Sequence, residues 1–207
     1  MTTLIVLAKE PRPGHSKTRL CPPLSPQEAA EVAEAALRTT LDAAAATSAD
    51  RLVVALDGAP GDWVPDGAEV IPQRQAGHAV RIAGAFADTG GPALLIGMDS
   101  PQAGAEMLDA ALAELRNPCV DAVLGPAEDG GWWAIGLQRP DDRVFAGVPM
   151  SRADTCAHQR ERLRRLGYQT QLLPTLRDVD TYADALAVAQ LCPDTPFGLR
   201  VSGALVR

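Results

Sequence analysis

Aromatic side chains make up only 4% of the 207 residues, and cations are outnumbered, 19 Lys and Arg against 26 Asp and Glu, for a net charge of −7. A chain so poor in stacking surfaces and in gathered positive charge is not built to track a nucleic-acid backbone. Cysteine is scarce as well. Cys21, Cys119, Cys156 and Cys192 form no C-x-x-C pair, and no His stands at metal-ligand spacing, which argues against structural zinc. No window approaches the length of a membrane span, and no basic stretch followed by an apolar run leads the chain. The expectation is a cytoplasmic protein with free thiols and no membrane partner. Two glycines are missing where they would matter most. Residues 14–18 read G-H-S-K-T, the end of a P-loop in outline, yet Pro11 and Ser16 stand where the motif needs glycine. A Walker-type ATPase or kinase is thereby excluded.

What is present is an alternation of strand and helix. Residues 3–8 form a continuous apolar run, the pattern of a strand buried on both faces. Further strands are expected at 51–57, 68–72, 93–98, 121–125, 133–137 and 169–173. Helices are expected from Ser25 to about Thr47, at 79–87, from Pro101 to Arg116, at 152–166 and at 181–191. Ser25, Pro26 and Glu28 supply a capping box with proline at the first helical position. Thr181 and Asp184 make a similar start. Residues 193–207 are read as an arm or a dimer contact, with a homodimer as the expected assembly. The pattern gives an α/β fold with a mostly parallel sheet between two helical layers, as a single domain over 1–207. In such sheets ligands bind beyond the carboxyl ends of the strands. The polar clusters of this chain follow those ends.

The first cluster is A-K-E-P-R-P-G-H-S-K-T-R-L at 8–20. Four cations, Lys9, Arg12, Lys17 and Arg19, crowd one loop of an acidic chain. Arginine forks onto two oxygens and lysine supplies a point charge, so the loop reads as a grip on nucleotide phosphates. A solvated basic loop is the competing reading.

Carboxylates form the rest. Asp99, in I-G-M-D-S-P, stands at the tip of a buried strand, a natural place to hold a hard cation such as Mg2+. Capping the next helix is the alternative. Asp178 and Asp180 precede the last helix. One is expected to face the site and the other solvent, with Asp180 favoured as the second metal ligand and capping again the alternative. In G-P-A-E-D-G-G-W-W, Gly130 and Gly131 after Asp129 make a tight turn able to close on a small acceptor. Trp132 or Trp133 would wall the pocket.

These segments, 8–20, G-M-D-S-P at 97–101, G-P-A-E-D-G-G-W-W-A-I-G-L at 125–137 and D-V-D-T at 178–181, resemble a family of uncharacterised bacterial GT-A-type glycosyltransferase-like proteins. That family is related to 2-phospholactate guanylyltransferase and, more distantly, to the molybdenum-cofactor nucleotidyltransferases. The resemblance implies a nucleotide-diphospho-sugar transferase (GT-A, Rossmann-like) fold with nucleotide at the first loop. It further implies Mg2+ or Mn2+ held by Asp99 with Asp180, Lys17 and Arg19 facing phosphates, and an acceptor side shaped by Gly130, Gly131 and Trp132. Relatives carry a G-D-L-G-x-R stretch after the third strand. Here it is A-G-H-A-V-R at 76–81, in which Arg81 survives as a phosphate-binding candidate.

The reading is a metal-dependent transferase that uses a nucleotide or nucleotide-sugar donor and a small-molecule acceptor. In nucleotidyl transfer Lys17 and Arg19 would meet charge developing on an NTP. In glycosyl transfer Asp129 would act as base toward an acceptor hydroxyl. The sequence leaves both open. The alternative of another class is a non-catalytic nucleotide-binding protein on the same fold, motivated by the altered 76–81 segment.

Overall fold

The computed structural model describes residues 1–204. Seven strands, β1 (Thr3–Lys9), β2 (Arg51–Asp57), β3 (Glu69–Pro72), β4 (Ala93–Gly97), β5 (Ala122–Pro126), β6 (Trp132–Leu137) and β7 (Thr170–Leu172), form one sheet in the order β3-β2-β1-β4-β6-β5-β7. All neighbours are parallel except β6, which runs antiparallel to β4 and β5. Every strand expected from the sequence is present.

The apolar run of β1 is buried on both faces, as its lack of alternation requires. Leu4, Val6 and Ala8 face one core with Leu37 and Leu41 of α1 (Pro26–Ala45) and Leu108, Leu112 and Leu115 of α3 (Ala105–Arg116). Ile5 faces the other core, with Ile82 and Phe86 of α2 (His78–Thr89) and Cys156 and Leu163 of α4 (Thr155–Arg165). Phe86 stacks on Phe145 with ring centroids 5.7 Å apart. The Ser25–Glu28 capping box forms as expected, and so does the Thr181–Asp184 box of α5 (Tyr182–Leu191). No helix among the described residues is long and apolar enough to cross a membrane.

Two expectations are corrected. Residues 196–204 are no arm. They form α6 (Pro196–Ala204), which buries Phe197 and Val201 against the alanine-rich outer face of α1 and against α5. The Phe197 amide donates to Thr39 Oγ1 at 3.0 Å. Phe197 and Val201 are buried within the chain, while Leu191 of α5 and Leu199 of α6 are exposed. The rest of the expected arm, residues 205–207, lies outside the described residues. The helix after β4 also begins later than Pro101, at Ala105 with Gly104 as its cap. Neither Asp99 nor Ser100 caps it, because the Ser100 hydroxyl is committed to Asp178 at 2.7 Å.

The connection from β6 to α4 is pinned by Asp141, which accepts from Arg143 Nη2 at 2.8 Å and from the Tyr168 hydroxyl at 2.9 Å. The Arg143 guanidinium, chiefly, pulls the Asp141 carboxyl down to about 2, while burial and then Asp141 push the Tyr168 hydroxyl up to about 12. A carboxylate whose folded pKa lies below its unfolded value of about 4 stabilises the fold above that value. This contribution is lost as pH falls from about 4 toward 2. Asp141→Asn is expected to cost about 1–2 kcal/mol at neutral pH, discounted for the exposed Arg143. In urea titrations the gap between parent and variant should narrow as pH approaches 2. A gap independent of pH would sink the assignment.

Candidate active site

The chain leaves β1 at Lys9 and folds the loop upon itself. Arg12 N–H donates to Ser16 Oγ at 3.0 Å, and that hydroxyl donates to the Glu10 carbonyl at 3.2 Å. The His15 and Ser16 amides both reach the Arg12 carbonyl at 3.0 Å. Backbone N–H groups that a P-loop would aim at phosphate are spent inside the loop, which agrees with the missing glycines. Lys17 follows in the left-handed region at φ 49°, and Leu20, fully buried, anchors the turn beneath it.

Lys17 is brought to the carboxylates. Its Nζ lies 2.6 Å from Asp99 Oδ1 and 3.9 Å from Asp180 Oδ1, with the side chain only 10% exposed. The same ammonium donates to the Val179 carbonyl. Arg19, largely exposed, reaches Asp180 Oδ2 at 3.2 Å. A hollow of about 250 Å3 is lined here by Lys9, His15, Lys17, Thr18 and Arg19 together with Asp99 and Asp180. Arg12 is not part of it. Its guanidinium pairs with Glu10 at 2.5 Å, and Glu10 accepts the Ala59 N–H at 2.6 Å, tying the first loop to the one after β2. Arg12, ahead of the Ala59 amide, pulls the Glu10 carboxyl down to about 2.

Arg81 also stands apart, on the neighbouring part of the rim. Its Nη1 lies 2.6 Å from Asp57 Oδ2 and 3.3 Å from Gln73 Oε1. Gln73 Nε2 in turn donates to the Ala8 and Ala55 carbonyls, each at 2.8 Å. The network closes the ends of β1, β2 and β3.

Beyond Asp99 opens a cleft of about 530 Å3, within the range of small-molecule sites. Asp99, Asp129, Asp178 and Asp180 all line it. The expectation that Asp178 and Asp180 face opposite ways is corrected. Residues two apart in an extended segment share a face. It is Val179, fully buried, that points the other way, while its N–H donates to the Asp99 carbonyl at 2.9 Å. Burial above all, with Asp99 and Asp129 adding like charge, raises the Asp178 carboxyl to about 6 against the opposing hydrogen bond from Ser100.

The 125–133 hairpin forms the next wall. Asp129 Oδ1 accepts the Gly131 N–H at 2.7 Å, which fixes the carboxylate of a residue that lines the cleft. Gly130 sits at φ 88°, and a Cβ there would lie 1.9 Å from the Ala153 carbonyl oxygen. Trp132 is half-buried and lines the cleft, its Nε1 buried without a partner. Trp133 is core, with Nε1 donating to the Pro174 carbonyl at 3.0 Å. Sequence reasoning missed His78 and the wall made by residues 150–153 and Thr155. Desolvation and Arg81 hold the His78 ring below its ordinary pKa. The wall had no signal, since the sequence pattern places Arg152 as the first residue of a helix and Ser151 in no expected element.

This sheet order and this carboxyl-edge cleft define an α/β protein of the nucleotide-diphospho-sugar transferase fold. The chain is similar over 100% of its length, at 26% identity and a TM-score of 0.86, to 96% of a crystal structure from Desulfovibrio desulfuricans G20 described as a candidate nucleotide-diphospho-sugar transferase. CMP:2-keto-3-deoxy-manno-octonic acid synthetase complexed with CTP shares the fold at 13% identity and a TM-score of 0.58, over 100% of this chain and 99% of that one. Glucosyl-3-phosphoglycerate synthase from Mycobacterium tuberculosis, in complex with Mn2+, uridine diphosphate and glucosyl-3-phosphoglycerate, shares it at 13% identity and a TM-score of 0.53, over 95% of this chain and 80% of that one. Two of these structures hold a nucleotide, CTP in one and uridine diphosphate in the other.

By sequence the chain belongs to DUF2064, a family of uncharacterized proteins conserved in bacteria, whose pattern matches residues 28–152. No curated protein matches it.

Proposed function

We propose that the protein is a divalent-metal-dependent transferase that takes an activated nucleotide donor and a small-molecule acceptor. The observation that carries this reading is the junction of Lys17, Asp99 and Asp180, drawn from three distant segments to one end of the sheet beside an open cleft. The neighbours' chemistry, nucleotidyl and glycosyl transfer, supports the same reading.

The donor set fits a hard cation. Four carboxylates line the cleft, and only Asp99 and Asp180 have Lys17 or Arg19 against them. Among the described residues no three His, Cys, Asp or Glu side chains form a ready-made metal cage, so an ion here would be Mg2+ or Mn2+ held by one or two carboxylates, its shell completed by water and substrate phosphates. Asp99 would hold the ion with Asp180, and the bound ion would supply Lewis-acid stabilisation of phosphate oxygens.

The chain's own residues do the rest. Arg19 and Lys9, exposed at the hollow, meet donor phosphates, while Lys17 fixes Asp99 and Asp180 from below and enters the reaction through them. In glycosyl transfer Asp129, oriented by the Gly131 amide, takes the proton of an acceptor hydroxyl as its oxygen bonds to the sugar's anomeric carbon and the bond to the nucleoside diphosphate breaks. In nucleotidyl transfer an acceptor oxygen bonds to the α-phosphorus and pyrophosphate leaves. In both, the leaving group departs toward the basic loop. Because Lys17 is committed to carboxylates, the loop offers no surplus of charge that favours an NTP over a nucleotide sugar.

A thermal-shift series with NTPs and nucleotide sugars, with and without Mg2+, tests this. A donor at 100 times its Kd adds about 2.7 kcal/mol, so the melting point should rise by about 5–10 °C. A Mg2+-dependent rise with an NTP alone means nucleotidyl transfer, and one with a nucleotide sugar means glycosyl transfer. A rise without Mg2+ dependence leaves the non-catalytic binder, and no rise with any of them overturns the proposal.

A further inference from the structure

Besides Arg19 of the basic loop, the cleft is lined by a second cation, Arg152, preceded by Ser151. Its backbone is fixed without help from the Arg152 side chain. Arg152 N–H donates to Thr155 Oγ1 at 3.0 Å, and that hydroxyl donates to the Pro149 carbonyl at 2.8 Å. The Thr155 amide returns to the Arg152 carbonyl at 3.1 Å, and the Cys156 amide docks on the Gly130 carbonyl at 2.8 Å. Ser151 is held at φ 59°, a conformation non-glycine residues avoid and that persists where the surroundings over-determine it.

The guanidinium has no comparable structural task. Among the described residues it pairs only with Asp154, Nε to Oδ1 and Nη2 to Oδ2, both at 3.0 Å. The partners are two residues apart in sequence and 63% and 41% exposed, so the pair ties no elements together and contributes little stability. Its geometry is informative nonetheless. Two parallel N–H···O bonds are how a guanidinium holds a carboxylate or phosphate, and here Asp154 fills the fork.

We infer that Arg152, with Ser151 beside it, is the binding subsite for an oxyanion group of the acceptor, a carboxylate or a phosphate, which displaces Asp154 from the fork. The inference rests on the transferase reading above for the word acceptor, and on the cleft geometry alone for the anion site. Gly130 presses against Ala153, so the subsite and Asp129 share one corner of the cleft. An acceptor held there by its anionic end brings its hydroxyl toward Asp129.

The test is a titration of the full 15N-labelled chain with inorganic phosphate and, separately, acetate, at constant ionic strength, following backbone amides. Saturable shifts of residues 151–155 are expected. Arg152→Leu should weaken them at least 10-fold while shifts at residues 17–19 persist. Arg152→Lys, which keeps the charge and loses the fork, should weaken them less. Asp154→Asn should tighten binding by about 2–5-fold, because it removes the internal competitor. A structural role for Arg152 would not produce that gain. Response to phosphate alone or to acetate alone names the acceptor's anionic group. Silence at 151–155 with both anions, an unchanged response in Arg152→Leu, or weaker binding in Asp154→Asn overturns the inference. A response here with no nucleotide-dependent thermal shift would leave the anion site standing and remove the transferase reading instead.

Discussion

Asp99→Asn is expected to fold with little change and to lose at least about 100-fold in turnover, with Mn2+ affinity falling by 10-fold or more. The Asp99 side chain is 44% exposed, so the substitution costs little at Asp99 itself, and the cost falls on the nearly buried Lys17 ammonium. Asn keeps an acceptor oxygen where Oδ1 stood, and Lys17 retains the Val179 carbonyl and Asp180. The stability loss should therefore be about 1 kcal/mol, or about 2–4 °C in melting point. What disappears is the negative charge through which the carboxylate would hold a divalent ion. Turnover is read as release of pyrophosphate or nucleoside diphosphate from the donor that the thermal-shift series selects. Metal affinity is read by the loss of free Mn2+ signal in electron paramagnetic resonance. Nucleotide binding without metal should change little, since Arg19 and Lys9 are untouched. Parental turnover in Asp99→Asn would remove Asp99 from the metal site. Loss of folding would show instead that Lys17 needs its partner for stability.

The fold was legible because local and global signals agree. The unbroken apolar run of residues 3–8 could only be a strand covered on both sides, and the boundaries of β2 fall where the sequence places them. The site was legible in outline. Acidic and basic residues follow strand ends, and the sheet topology collects strand ends on one rim. Three things escaped for physical reasons. Periodicity says nothing about where a loop side chain turns, so Lys17 was expected to face phosphate and is found against Asp99. Arg12 and Arg81 carry the right charge in the right region, but each meets a carboxylate of its own, Glu10 and Asp57, at 2.5 and 2.6 Å. The Ser151–Arg152 wall depends on a chain reversal between β6 and α4 that no short motif encodes. Asp178 is different in kind. The alternation of an extended segment does place it beside Asp180, with Val179 inward, so the sequence contained the answer and the parity had to be applied correctly.

Gly130→Ala should be the most damaging small substitution at the site. Two costs add. The φ of 88° penalises any residue with a Cβ, and that Cβ would lie 1.9 Å from the Ala153 oxygen and 2.5 Å from its carbonyl carbon. The obstacle is backbone, and it is held in place. The Thr155 hydroxyl locks residues 149–155 from one side, and the Cys156 amide bonds to Gly130 itself from the other. Relief therefore requires α4 to back away from the hairpin, opening the core that Cys156 and Leu163 seal. A loss of about 2–4 kcal/mol is expected, or about 4–16 °C in melting point. Gly147→Ala separates the two costs. Gly147 has φ 75° and nothing within 4 Å of its added Cβ, so it reports the conformational term alone, about 1 kcal/mol. Urea titrations of both variants give the steric term by difference. If that difference is near zero, the 151–155 wall is not pressed against the hairpin, and the shared corner of Asp129 and Arg152 has no basis. If it is large, α4 and the acceptor wall move together, and the anion response at residues 151–155 should be lost in Gly130→Ala and kept in Gly147→Ala.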